Sequence, residues 1–179
     1  GWSLPLLFDL EAYTASEPST GAEALARDLL TAAPSATGTM HGGEATVAYL
    51  VPWGIQAAIE GLAAMHHRDI RVHSAGAAFT IGGREYPAGS LIIKVAGNAE
   101  NLHVQLQMIA EHHGVDFYAT NTSWVEDGIS FGSGRVRYLK QPKIALAWDR
   151  PTSAYSAGWA RYLIEVAYNY PVTIIRTEQ

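Results

Sequence analysis

Cysteine is absent from the 179 residues, which excludes disulfide bonds, thiolate metal ligands and cysteine nucleophiles. Basic residues are few, with 12 Lys and Arg against 17 Asp and Glu, for a formal net charge of −5. A nucleic-acid surface requires clustered basic residues, so we expect no nucleic-acid partner. No apolar run approaches the ~20 residues that a membrane-spanning helix needs, so we expect no membrane span. The densest basic group is predicted to decorate a loop and a strand edge; it comprises Arg135, Arg137, Lys140 and Lys143.

A strand–turn–helix–strand pattern between Val47 and Ala75 organises the chain. Two short β-branched runs flank the pattern, and Pro52 and Gly54 mark the turn after the first run. Apolar residues recur at helical spacing between the runs, at Ile55, Ala58, Ile59, Leu62 and Met65. This pattern predicts an α/β fold, with a mixed or mostly parallel sheet built from crossover units and helices packed on it.

The segments that follow extend the same domain. Gly82 and Gly83 predict a hairpin turn, and the continuous apolar run Ser90–Val95 predicts a strand buried on both faces. A second helix is expected to be capped by Asn98 and ended by Gly114, before a further short strand. This order permits either a split crossover arrangement or part of a doubly wound sheet.

Both ends of the chain carry further expectations. Before the organising unit, residues 2–13 are predicted to be extended, and residues 22–31 are predicted either to form a short helix or to stay irregular. Pro142 marks a boundary, so we expect an α/β domain over 1–142 and a strand–helix–strand unit over 143–179. Such a unit cannot bury its own faces, so it is expected to be truncated or to dock on the first part. A helical stripe of Tyr155, Trp159 and Tyr162 predicts a docking surface and self-association.

Two short stretches carry side chains that could form a site. His41 and Glu44 have the spacing with which a ring nitrogen and a carboxylate bind one divalent ion, although a glycine-rich turn explains the same residues. Asp149, Thr152 and Ser153 lie between a predicted strand and a predicted helix, where the helix N-terminus can bind a ligand anion. The alternative is that Thr152 or Ser153 only caps the helix.

Three phrases of the sequence resemble parts of large bacterial zinc-carboxypeptidase-like proteins. Residues 2–6 (WSLPL) resemble the segment after the catalytic domain, and residues 86–92 (YPAGSLI) resemble the accessory region. Residues 143–163 (KIALAWDRPTSAYSAGWARYL) resemble the start of the C-terminal domain, which is similar to class I glutamine amidotransferases. The resemblance covers most of the chain and implies that the zinc-binding catalytic domain lies upstream.

The resemblance implies that this chain contains neither active site of such a parent protein. The family's zinc pair is followed by an Asn-Arg dipeptide that does not occur here, and the amidotransferase nucleophile is a cysteine. We therefore expect a non-catalytic accessory segment of a secreted or periplasmic parent that uses zinc to cleave C-terminal residues from peptides. Two alternatives are a small-molecule or peptide-binding α/β module and a stand-alone metallohydrolase that uses His41 and Glu44.

Overall fold

The computed structural model describes Glu11 and residues 37–176. The chain divides between Ser35 and Ala36 into two units, and every element described below belongs to the second. The predicted extended segment at 2–13 and the predicted helix at 22–31 therefore lie outside the described residues, apart from Glu11.

The described residues form strands, α-helices and one π-helical stretch. The strands are β1 (Met40–His41), β2 (Ala48–Val51), β3 (His73–Ala75), β4 (Phe79–Ile81), β5 (Arg84–Tyr86), β6 (Leu91–Lys94), β7 (Phe117–Thr120), β8 (Asp127–Gly128), β9 (Val136–Tyr138), β10 (Ile144–Ala147) and β11 (Val172–Ile175). The α-helices are α1 (Gln56–His67), α2 (Leu102–His113) and α3 (Ala154–Tyr162), and the π-helical stretch Leu163–Ala167 continues α3. None of the helices in this part of the chain is long and apolar enough to cross a membrane.

Six strands form a main sheet in the order β1-β7-β2-β6-β3-β9. Only the β1–β7 pair is parallel, and the other neighbours are antiparallel. The sheet is therefore mixed, which was one of the two predicted alternatives. The other alternative, a mostly parallel sheet, is not confirmed, because most of the pairings are antiparallel. Arg137 of the densest basic group lies on β9, which is an edge strand of this sheet, and the other three members lie outside the strands.

Two interlocked crossover units explain the antiparallel pairing. The β2-α1-β3 unit has two parallel strands with β6 inserted between them, and the β6-α2-β7 unit has β2 inserted between its strands. The split crossover arrangement is thus present, in the ferredoxin-like order. The β4–β5 hairpin is an insertion between the two units.

The two faces of the main sheet bury different partners. On one face, Tyr49, Leu91 and Ile93 pack against apolar residues of α1 and α2. On the other face, Leu50 and Ile92 pack against the three-stranded sheet β5-β4-β8 and Phe131. Strand β6 is therefore buried on both faces, which confirms the prediction from its continuous apolar run.

Gly114 ends α2 in a left-handed conformation, with φ of 66°, as predicted. The predicted cap Asn98 is wrong, because the residue before α2 is Asn101. The Asn98 side chain instead accepts a hydrogen bond from the Arg71 amide (2.7 Å) and donates one to the Lys94 carbonyl (2.7 Å). The Asn98 side chain thus connects the segment before β3 with the end of β6.

Strands β10 and β11 pair in parallel as a separate two-stranded sheet, connected by α3 and the π-helical stretch. We call this segment, Ile144–Ile175, the C-terminal unit. Its predicted boundary at residue 142 and its likeness to an amidotransferase domain stay predictions. Side chains of the predicted stripe are exposed, with Tyr155 at 87%, Trp159 at 74% and Tyr162 at 56%.

Candidate functional site

His41 and Glu44 flank a glycine turn at the end of β1. Gly42 and Gly43 adopt left-handed backbone angles, with φ of 88° and 72°, and Glu44 is exposed. The His41 imidazole has a different carboxylate neighbour, since its Nε2 lies 3.5 Å from Oδ1 of Asp116. Within Glu11 and residues 37–176, no three His, Asp or Glu side chains are grouped to hold a metal ion.

The same histidine belongs to a stack of three side chains that we call the Arg84–Tyr118 site. The His41 and Tyr118 rings lie 4.4 Å apart between centroids, with planes within 5°. The guanidinium carbon of Arg84 lies 3.9 Å from the Tyr118 ring centroid. Groups at these distances would collide on one ring face, so His41 and Arg84 cover opposite faces of Tyr118.

An open cavity of about 230 Å³ lies beside this stack. Its apolar lining includes Leu50 and Ile81, and Arg84 and Tyr118 contribute to its wall. Arg84 forms no ion pair with any carboxylate in the described residues. Contact between the ring and the guanidinium face leaves the N–H donors at the guanidinium edge available to a ligand.

Tyr86 places a hydroxyl group in the wall of the same cavity. Its side chain is only 2% exposed, and the described residues provide its hydroxyl with no hydrogen-bond partner. Burial raises the pKa of Tyr86 to about 12, although the Arg84 charge acts in the opposite direction. The hydroxyl therefore keeps its proton at neutral pH and is a hydrogen-bond donor for an anion.

The fold brings these residues together from three separate segments. In the parallel β1–β7 pair, His41 lies directly opposite Tyr118. The β4–β5 hairpin covers the second face of the main sheet, and Phe79 stacks on Tyr86 with centroids 5.0 Å apart. The glycine pair at the tip has φ of 60° and 70°, which allows the tight turn that carries Arg84 back over the sheet.

The arrangement suits a ligand that combines a carboxylate with a flat or apolar group. Arg84 and Tyr86 can donate to the carboxylate, while Leu50 and Ile81 contact the apolar part. Sequence reasoning found His41 but missed Arg84, Tyr86 and Tyr118. No local pattern marks them, because the site depends on pairing between strands that are far apart in the chain.

The predicted site at Asp149, Thr152 and Ser153 has the geometry of a capped turn. The Thr152 hydroxyl donates to the Asp149 carbonyl at 2.6 Å, and Ser153 is the residue before α3, where its Oγ accepts from the Ser156 amide at 3.5 Å. The Asp149 carboxylate lies 4.0 Å from Nε of Arg176. The capping alternative therefore accounts for the hydroxyl groups, and ligand binding here stays a prediction.

Two of the α-helices end in a pair of histidines. His66 and His67 are in the last turn of α1, and His112 and His113 are in the last turn of α2. His113 Nδ1 lies 3.9 Å from Oε2 of Glu60, so the His113–Glu60 contact connects α2 with α1.

Comparisons of the chain with protein-family models, with curated proteins and with solved structures found no match.

Proposed function

We propose that this chain is a non-catalytic accessory segment of a zinc-carboxypeptidase-like protein and that the Arg84–Tyr118 site binds a carboxylate-bearing peptide or small molecule. The observation that carries the binding role is the Arg84 guanidinium, 3.9 Å above the Tyr118 ring at an open cavity with an apolar lining. A permanent cation beside apolar surface is the combination that the C-terminal residue of a peptide requires, because its carboxylate and side chain lie close together.

The proposed role complements that of the parent. An upstream catalytic domain of the same polypeptide would hold the zinc ion and remove the C-terminal residue. The accessory segment would hold the same class of peptide and raise its concentration near that domain. The resemblance of residues 86–92 and 143–163 to this family supports the proposal.

Titration calorimetry with the whole chain tests the binding role. The probes are a short peptide that ends in phenylalanine with a free carboxylate and the same peptide with an amidated end. We expect the free acid to bind about tenfold more tightly, because amidation removes a charge-assisted hydrogen bond. Equal affinity for the two peptides, or binding of neither, contradicts the proposal.

Arginine variants locate the interaction. Arg84→Gln should reduce affinity for the free acid to that for the amide, whereas Arg84→Lys should retain part of the difference through its charge. Arg137→Gln is the matched control, because Arg137 is an exposed arginine on β9, outside the residues that line the cavity. Loss of carboxylate preference in the Arg137 variant would place the site elsewhere.

A further inference from the structure

A second cavity, of about 280 Å³, lies between α1 and the C-terminal unit. Apolar side chains form most of its wall; they include Ile59 and Leu62 of α1, Leu139 after β9, Ile144 of β10, and Ile164 and Tyr168 after α3. This cavity shares no lining residue with the Arg84–Tyr118 site. It can accept a mostly apolar molecule.

One polar side chain in this wall lacks a partner. His66 lines the cavity and is only 7% exposed, and the described residues provide its imidazole with no hydrogen bond. Burial lowers the pKa of His66, and the neighbouring His67 lowers it further, so the ring is neutral at pH 7. A neutral imidazole has one N–H donor and one acceptor nitrogen, and either can pair with a polar group of a molecule in the cavity.

Among the other polar groups of this wall, Tyr168 is half-buried, and the rest have partners or face solvent. The Tyr170 hydroxyl donates to the Pro142 carbonyl at 2.8 Å, and the Tyr170 amide donates to the Ile164 carbonyl at 2.8 Å. The His67 ring forms a hydrogen bond with the Asn169 carbonyl through its Nε2 atom. Lys140 also borders the cavity but is exposed, so its ammonium group is solvated. His66 is thus the buried polar group in this wall that a ligand can satisfy.

We propose that this cavity binds a small, uncharged and mostly apolar molecule that carries one hydroxyl group, which hydrogen-bonds to the His66 imidazole. An uncharged ligand fits best, because an anion would be desolvated in an apolar wall without a buried cation. Bound there, the ligand would contact both α1 and the C-terminal unit and would stabilise their contact. The Arg84–Tyr118 site plays no part in this inference.

Three aromatic probes of similar shape test the inference by calorimetry on the whole chain: para-cresol, toluene and para-toluate. We expect para-cresol to bind about tenfold more tightly than toluene, the difference that one hydrogen bond to a buried group makes. We expect para-toluate to bind more weakly than para-cresol. Failure of para-cresol to bind, equal affinity for para-cresol and toluene, or tighter binding of para-toluate would each overturn the proposal.

Variants assign the hydrogen bond to His66. His66→Leu should bind para-cresol and toluene equally, while His112→Leu, at the corresponding end of α2, should retain the tenfold difference. If circular dichroism shows that His66→Leu does not fold, His66→Gln replaces it. In that variant the ratio of the affinities for para-cresol and toluene should differ from the wild-type ratio. Leu62→Trp should fill the cavity and abolish binding of both probes. An unchanged preference for para-cresol in the His66 variant that folds overturns the assignment.

Discussion

His41 and Tyr118 lie directly opposite each other in the parallel pair β1–β7, and their rings stack with 4.4 Å between centroids. This contact connects the short edge strand to the sheet, because β1 pairs with β7 over only two residues. Arg84 covers the opposite face of the same ring. The Tyr118 ring is thus the centre of the site and also a structural contact between three segments.

Replacing this ring should destabilise the fold. Tyr118→Leu removes one aromatic stacking contact and one cation–π contact, and we expect the free energy of unfolding to fall by about 1–3 kcal/mol. Tyr118→Phe is the matched control, because the described residues give the Tyr118 hydroxyl no hydrogen-bond partner to lose. Urea unfolding measures both variants. Equal stability of Tyr118→Leu and the wild type would show that the stack contributes nothing to stability.

The local patterns of the sequence predicted most elements of residues 37–142. The apolar run in β6, the glycine pair of the hairpin and the glycine after α2 each act through their own backbone or burial, so neighbouring residues suffice to predict them. Strand order could not be predicted in this way. Strand order depends on long-range pairing, because β6 lies between the two strands of the β2-α1-β3 unit and β2 lies between those of the β6-α2-β7 unit. No single segment encodes this pairing.

The candidate site was harder to predict for the same reason. No local sequence pattern marks Arg84 or Tyr118. The two side chains meet only because the β4–β5 hairpin covers the main sheet. The loop aromatics show a similar limit. Trp124 and Phe131 are both large apolar residues of the loop region after β7, but Phe131 is buried while Trp124 is 78% exposed. Hydrophobicity alone did not distinguish them, because burial depends on which side chain reaches the β4–β5 layer.

Gly128 should tolerate no side chain. It lies in β8 with φ of 87°, and a Cβ there would lie 2.3 Å from the Ala78 carbonyl oxygen and 2.7 Å from the Phe79 Cα. We expect Gly128→Ala to reduce the free energy of unfolding by about 2 kcal/mol or more, through backbone strain and collision.

Gly132 offers a matched control in the neighbouring loop. A Cβ there meets nothing within 4 Å, so Gly132→Ala should change stability by less than about 0.5 kcal/mol. Thermal unfolding measures both, since about 1 kcal/mol shifts Tm by roughly 2–4 °C in a chain of this size. If both alanine variants melt together, the close contact of β8 with β4 is not as described.

The exposed aromatic stripe of α3 should mediate association between two copies of this chain. Tyr155 and Trp159 are 87% and 74% exposed on the C-terminal unit. We expect sedimentation velocity to show a dimer that forms with rising concentration and is lost in the double variant Tyr155→Ser, Trp159→Ser. Trp124→Ser is the control, because Trp124 is equally exposed but lies alone on a loop. A wild-type chain that sediments as a monomer throughout would refute the prediction.

Two histidines with lowered pKa should make stability depend on pH. Burial is the main cause for both His66 and His73, and the Lys94 and Arg71 charges contribute for His73. Each ring therefore binds a proton less readily in the folded chain than in the unfolded chain, where its pKa is near 6.5. As pH falls below about 6.5, the unfolded chain takes up protons first, so the free energy of unfolding decreases with falling pH. The loss stops below the folded-state pKa, where both states are protonated.

Comparison of variants isolates this contribution from that of the carboxylates. His66→Leu and His73→Leu should each lose less stability than the wild type when pH is lowered from about 7.5 to about 5, and the double variant should lose least. His112→Leu, at an exposed helix end, should follow the wild-type profile. Urea unfolding across this pH range measures the differences. A steeper loss of stability on acidification in either single variant would mean that the corresponding imidazole gains a favourable partner when protonated, the reverse of what its buried position implies.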